Sequence, residues 1–239
     1  MASDGPPIVS EHSHNDDEPD SSCPFCTIAS TYQPISLHDT TCDAWDPDRL
    51  SPPAYVLFSS EHVIAFLDIA PLTRGHVLVA PRRHRVKIGN LSPSEAGEIG
   101  RVLPLIARSV LKAVLPDIPH DEVDYNVVQN NGPGAAQVIP HVHFHIIPRP
   151  PLNYTPPDSA IPNAGTVSRK YAKSRIPTGL SASYIQFGRG QRNELDDDDA
   201  VVLVEIIRNN IKAELENVSS KIMDHEVEPQ GMAARESKL

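Results

Sequence analysis

The sequence has no apolar run approaching the roughly 18–20 residues that would span a bilayer, so no membrane association is expected. A basic excess is also missing: 21 Lys and Arg stand against 31 Asp and Glu, a net charge of −10. That balance argues against nucleic-acid binding by broad phosphate neutralisation. It leaves room for one small anionic ligand in a locally positive pocket. Hydrophobic residues are sparse at 39% while Pro is plentiful at 24 residues, so a compact core with irregular segments is expected. The N-terminal segment has neither the basic nor the apolar stretch of a secretory signal, which points to a cytoplasmic or nuclear protein. Cysteine is scarce at three residues, two of them in Cys23-Pro24-Phe25-Cys26. In a reducing compartment that pair is either a metal half-site or two unrelated thiols. Cys42 has no evident partner.

At 239 residues the chain is long enough for one sizeable domain with tails. Residues 1–20 are polar and acidic, the composition of a disordered tail. Residues 27–53 mix Ser, Thr, Asp and Pro without periodicity and read as an irregular insertion. Runs rich in β-branched and aromatic residues predict strands at 54–58, 62–67, 76–80, 124–129 and 141–147. A helix is predicted to start at Ser92, where Ser92-Pro93-Ser94-Glu95 is a capping box with Pro in the first turn. Ile99, Val102, Leu103, Ile106, Val110 and Leu111 form its apolar stripe, and Pro104 should kink it or delay its regular start. Residues 151–195 read as a Pro-rich loop segment and 196–217 as a second helix opened by four aspartates at the positive end of its dipole. Its stripe is Ala200, Leu203, Val204, Ile207, Ile211 and Leu215; residues 218–239 read as a frayed tail. The fold class is α+β, an antiparallel sheet of about five strands with the long helix packed on one face and a C-terminal helix added.

On a strand, His141, His143 and His145 share a face while Val142, Phe144 and Ile146 point to the core. Three imidazoles on one face are poor core material, since each buried ring requires hydrogen-bond partners. They are therefore a catalytic set or a metal-binding strand, imidazole being the commonest metal ligand. The turn Asn130-Asn131-Gly132-Pro133-Gly134 just before them can offer backbone N–H groups and an amide side chain to phosphate oxygens.

The stretch from Asn130-Asn-Gly-Pro-Gly through Gln137-Val-Ile-Pro to His141-Val-His-Phe-His-Ile-Ile147 resembles the signature of the histidine triad (HIT) proteins. Phe66-Leu-Asp-Ile-Ala-Pro-Leu-Thr-Arg-Gly-His-Val-Leu-Val-Ala-Pro81 resembles that family's other block, and the likeness spans a domain at about 21–150. The resemblance implies hydrolysis or transfer at the α-phosphate of a purine nucleotide conjugate, with His143 as nucleophile forming a nucleotidyl-histidine. His145 and His76 would contact the transferred phosphate, Asn130 and Gln137 would lie beside it, Asp68 would hold the ribose hydroxyls, and Phe66 and Ile69 would line the base pocket; plain core packing is the alternative for those last two. Hint-like proteins are the better match, which implies a nucleoside phosphoramidate hydrolase; a Fhit-like dinucleoside polyphosphate hydrolase and a non-catalytic zinc-stabilised scaffold are the alternatives. The aprataxin-like branch fits poorly because the C-terminal helix opens on aspartates. Some relatives have Ser or Thr after the glutamine to help protonate the leaving group, where this chain has Val138. The resemblance also implies a homodimer, no organic cofactor, and a structural zinc on Cys23, Cys26, His84 and His141. In that case His141 serves the metal and not the substrate.

Overall fold

The structure is a computed structural model and describes residues 19–35, 45–151, 154, 157 and 195–226. Five antiparallel strands form one sheet in the order β1-β2-β3-β5-β4. They are β1 (Val56–Ser59), β2 (Val63–Leu67), β3 (Val77–Pro81), β4 (Tyr125–Gln129) and β5 (Phe144–Pro148). Strands β2 and β3 are buried at every position, because both faces of the sheet are covered. Val63, Ala65, Leu67, Val77, Val79 and Ile146 meet the long helix α2 (Pro93–Val114). Ile64, Phe66, Leu78 and Ala80 meet a short helix, α1 (Pro24–Thr31), and Trp45. Burying one such aliphatic or aromatic side chain contributes about 1.5–3 kcal/mol, so this two-sided middle layer is the least tolerant part of the molecule.

Helix α2 begins as its sequence predicts. The Ser92 hydroxyl accepts from the Glu95 N–H at 3.2 Å, and the Glu95 carboxylate accepts from the Ser92 N–H at 2.7 Å. Glu95 is also paired with Arg85 at 3.0 Å, and its side chain is 2% exposed. Pro104 neither ends nor delays the helix, which runs through it with the proline exposed. At Gly75, φ is +79° and a Cβ would lie 2.7 Å from Val114. Only glycine lets the β2–β3 connection press this closely on α2.

Several sequence expectations are corrected. The irregular insertion does not begin at 27, since Pro24–Thr31 is helical. The hydroxyls of Thr27, Ser30 and Thr31, which made the stretch look like loop, donate to carbonyls one turn back instead. Residues 36–44, with Cys42, lie outside the described residues. The final strand starts at Phe144 and not at 141. The β3–β5 ladder stops at Val79 opposite Phe144, and the Val142 N–H donates to the Arg85 carbonyl at 2.6 Å instead. His141 and His143 therefore precede the strand, and His145 alone of the three lies within it.

The C-terminal helix α3 (Asp197–Glu226) outruns its predicted end at 217, so the tail reading fails for 218–226; 227–239 lie outside the described residues. The tail at 1–18, and most of the 151–195 segment, are likewise outside them. Helix α3 packs on α2 and β1 with Ala200, Leu203, Val204, Ile207 and Ile211 buried. Arg208 from α3 donates to the Val56 carbonyl at 2.8 Å and stacks over Trp45 at 5.1 Å. Among the described residues no helix is long and apolar enough to cross a membrane.

Burial raises the Glu95 pKa, but the Ser92 N–H and the Arg85 guanidinium outweigh it and hold the carboxyl below its ordinary value. A carboxyl depressed in the folded state stabilises fully above its unfolded pKa of about 4.3 and less as pH falls through the folded value. Glu95→Gln should cost about 3 kcal/mol at neutral pH, because it removes the carboxylate charge that faces the buried Arg85 guanidinium. In urea unfolding from pH 7 to pH 3, the variant should also lose less stability than the wild type.

Candidate active site

Two buried clusters of side chains lie on the α1 side of the sheet, linked through His143, which bonds the His141 carbonyl and packs against His145. In the first, the Cys23, Cys26, His84 and His141 ligand atoms all lie within 4.8 Å of one another, and all four residues are buried. Cys23 Sγ is 3.4 Å and Cys26 Sγ 3.6 Å from His141 Nδ1, and Cys26 Sγ is 3.2 Å from His84 Nδ1. A tetrahedral site with Zn–S of about 2.3 Å and Zn–N of about 2.0–2.1 Å has S···N edges of about 3.5 Å, so the donor set fits that ion. Helix α1 presents both cysteines, and Arg82 holds that helix to the sheet by donating to the carbonyls of Ala29 and Tyr32. His84 is buried too, not a surface residue of a basic run. A hydrogen bond from Cys26, working against burial, pulls the Cys23 thiol toward thiolate; donating that bond pushes the Cys26 thiol up.

His141 has no ring nitrogen left for a substrate. Nε2 lies 2.9 Å from the Pro81 carbonyl, which only an N–H can satisfy, so Nδ1 faces the thiols as a lone pair. Its backbone carbonyl has another role. His143 Nδ1 lies 2.6 Å from it, and this contact too requires an N–H. The neutral His143 ring must therefore carry its proton on Nδ1 and an open lone pair on Nε2. Burial, partly opposed by that same carbonyl, pushes the His143 pKa below its ordinary value, which favours the neutral ring.

The second cluster joins Asp68, His76 and His145, again with ligand atoms within 4.8 Å. The Leu72 N–H donates to His76 Nδ1 at 3.2 Å, a closer contact than Asp68 Oδ2 makes with the same nitrogen at 3.4 Å, so His76 carries its proton on Nε2, which lies 3.0 Å from His145 Nδ1. His145 is thereby an acceptor at Nδ1 and a donor at Nε2. Its ring centroid is 4.9 Å from that of His143. A lone pair on one ring and an N–H on the next are what nucleophilic attack and stabilisation of a phosphoryl oxygen require. Asp68 is 6% exposed, accepting from the Ala70 N–H at 2.9 Å.

The other expected residues divide. Phe66 is buried beside the histidines, whereas Ile69 is 74% exposed. Asn130 is half-buried at the end of β4. Gln137 is turned inward: Oε1 accepts from the Gly132 N–H at 2.6 Å, and Nε2 donates to the carbonyls of Val86 (2.9 Å) and His141 (3.3 Å). Its carboxamide holds the 130–137 turn to the histidine segment. Val138 is 83% exposed and has no proton to give. Phe25 was missed. It packs edge-on against Phe66 at 5.3 Å and against His143 at 5.1 Å, walling one side of the His143 ring. The signal was its place between the two cysteines, which fixes it wherever the cysteines go.

Comparison with known proteins decides the family. A model of the HIT domain matches residues 49–152. The adenosine 5'-monophosphoramidase of Saccharomyces cerevisiae is 36% identical over 132 residues, 55% of this chain and 77% of that enzyme. This chain belongs to the HIT family. An uncharacterized HIT-like protein of Methanocaldococcus jannaschii is 41% identical over 97 residues, 41% of this chain and 70% of that protein. The adenosine 5'-monophosphoramidase of Schizosaccharomyces pombe is 47% identical over 91 residues, 38% of this chain, which spans 61% of that enzyme's length. A crystal structure of a histidine triad nucleotide-binding protein of Sulfolobus tokodaii shares the fold, with a TM-score of 0.52 and 24% identity over 85% of this chain and 98% of its own. The HIT match begins at residue 49, so α1 with Phe25 and the cysteine pair lies outside it, as does helix α3.

Proposed function

We propose that this HIT protein is a nucleotide hydrolase or transferase acting at the α-phosphate of a purine nucleotide conjugate, in first place an adenosine phosphoramidate, through a nucleotidyl-His143 intermediate. The observation that carries the reading is the 2.6 Å bond from His143 Nδ1 to the His141 carbonyl, which leaves Nε2 as a fixed lone pair. Attack forms the Nε2–P bond and breaks the bond from phosphorus to the leaving group. The His143 ring then becomes cationic, and its Nδ1–H bond to the carbonyl strengthens as charge develops. His145 Nε2–H, held by His76, faces the phosphoryl oxygens or the departing atom. Water then cleaves the nucleotidyl-histidine, releasing AMP and neutral His143. Phe25 and Phe66 would flank the base, Asp68 would accept from the ribose hydroxyls, and Asn130 would lie beside the phosphate.

The exposed Val138 supports a second reading, a dinucleoside polyphosphate hydrolase, since a phosphate leaving group needs less help with protonation than an amine. Loss of turnover with retained nucleotide binding would mark a scaffold instead. A homodimer is proposed through the outer strand β4, whose Tyr125 and Val127 are 38% and 48% exposed. Cys23, Cys26, His84 and His141 would hold a structural zinc, which when bound cross-links α1 to the segment carrying His143; thiolate ligands suit the cytoplasm or nucleus.

Adenosine phosphoramidate, AMP-lysine and diadenosine tri- and tetraphosphate should be compared by kcat/KM. His143→Ala should lower turnover of the preferred substrate by at least about a thousandfold while AMP still binds. Undiminished turnover in that variant would refute the mechanism. Elemental analysis of purified protein should find about one zinc per chain, and Cys23→Ser should lower both zinc content and Tm. A zinc-free wild type with unchanged Tm in chelator would remove the metal from the reading.

A further inference from the structure

Helix α3 lies outside the HIT match, yet its first turn is fastened to the connection between β2 and β3, the same stretch that carries Asp68 and fixes His76. The Leu195 N–H donates to the Ile69 carbonyl at 3.0 Å, one residue after Asp68. Two residues before His76, Arg74 grips Asp199 through Nε (2.9 and 3.1 Å) and Nη2 (2.8 Å). The two side chains are only 10% and 3% exposed. Asp199 is held in turn by its place in the first turn of α3, where its N–H donates to Asp196 Oδ1 at 3.2 Å. Beside it, the Tyr55 hydroxyl donates to Asp197 at 2.8 Å, tying the same turn to the residue just before β1.

Between these two ties, at residues 69 and 74, the connection has little regular structure of its own. The Ala70 N–H donates to Asp68, the Leu72 N–H to His76 Nδ1, and the His76 N–H to the Thr73 carbonyl. The Leu72 contact dictates which His76 nitrogen bears the proton, and hence which way His145 is polarised. Asp68 aims its carboxylate from the same stretch.

We propose that the first turn of α3 is a clamp on the nucleotide pocket, with Arg74 and Asp199 as positioning residues that hold Asp68 and the Leu72 N–H in their working places. The proposal rests on the functional reading above for its kinetic and AMP-binding arms, and the exchange arm stands without it. Desolvation makes the clamp stiff: a buried bidentate guanidinium–carboxylate pair has strict geometry and no water to substitute for either partner. Its main effect falls on nucleotide affinity, because Asp68 would grip the ribose equally in the ground state and the transition state.

The test uses the full chain and the Asp199→Asn variant, with Glu214→Gln as a control. Glu214 pairs with Arg108 of α2 at 2.9 Å farther along α3, so it secures the same helix without touching the connection. Amide hydrogen exchange is measured on the peptide spanning 66–76 without ligand, and KM, kcat and AMP affinity on the preferred substrate. Asp199→Asn should deprotect 69–73 and raise KM and the AMP dissociation constant roughly tenfold, with kcat changed by less than about threefold. Glu214→Gln should leave all of these at wild-type values. If Asp199→Asn folds poorly, Leu195→Pro removes the N–H given to Ile69 while leaving the ion pair, and should deprotect the same amides. Unchanged exchange in either variant overturns the clamp. Deprotection without loss of affinity overturns its role in the pocket, and equal effects from Glu214→Gln reduce it to ordinary helix docking. Should the wild type hydrolyse nothing, the exchange arm still decides the clamp, and only the functional reading falls.

Discussion

The backbone carbonyl of His141 is the point on which the site turns. It accepts His143 Nδ1–H at 2.6 Å and Gln137 Nε2–H at 3.3 Å, so one oxygen sets the tautomer of the candidate nucleophile and anchors the 130–137 turn. It can do so only because residue 141 itself cannot move. Its ring is held between the cysteine sulfurs and the Pro81 carbonyl, and its segment has left the β ladder for the Arg85 carbonyl. A histidine that touches no substrate thus governs the one that would.

That arrangement is affordable only on a stiff support. Strands β2 and β3 are buried on both faces, α2 presses on one side and α1 on the other. A shift at residue 141 would have to be carried through close-packed side chains, which do not deform continuously. Three of the charged and titratable groups inside this layer have partners: Glu95 has Arg85 and the helix cap, Arg82 has the end of α1, and His76 has a backbone donor on one side and His145 on the other. The unsatisfied alternatives would cost about 1–3 kcal/mol each. The second helical layer, α3, extends the support around the β2–β3 connection.

Much of this was legible in the residues. The capping box at Ser92 and the three- and four-residue spacing to Leu111 announced α2, because cap chemistry and helical periodicity are local. The period-two histidines and the glycine turn announced a site. What misled was local too: Thr27, Ser30 and Thr31 look like loop until their hydroxyls find helical carbonyls, and Pro104 suggests a delayed start although the helix already runs from Pro93. The resemblance set Gln137 beside the phosphate, and what its amide bonds in the fold was not legible: Gly132, Val86 and His141, partners separated from it by up to fifty-one residues.

By itself the sequence determined which atoms were available: three imidazoles in a row, a remote fourth before β3, two thiols one helical turn apart, a carboxylate after β2. It also determined the family, since those residues recur in a fixed order. Tertiary structure alone decided their division of labour. Which nitrogen of each ring holds the proton depends on how the folded backbone aims its carbonyls and N–H groups: the distant Pro81 carbonyl for His141, and the nearby Leu72 N–H, turned back by its loop, for His76. Sequence spacing does not encode hydrogen-bond direction across a sheet. The packing of α1, α2 and α3 around that sheet does.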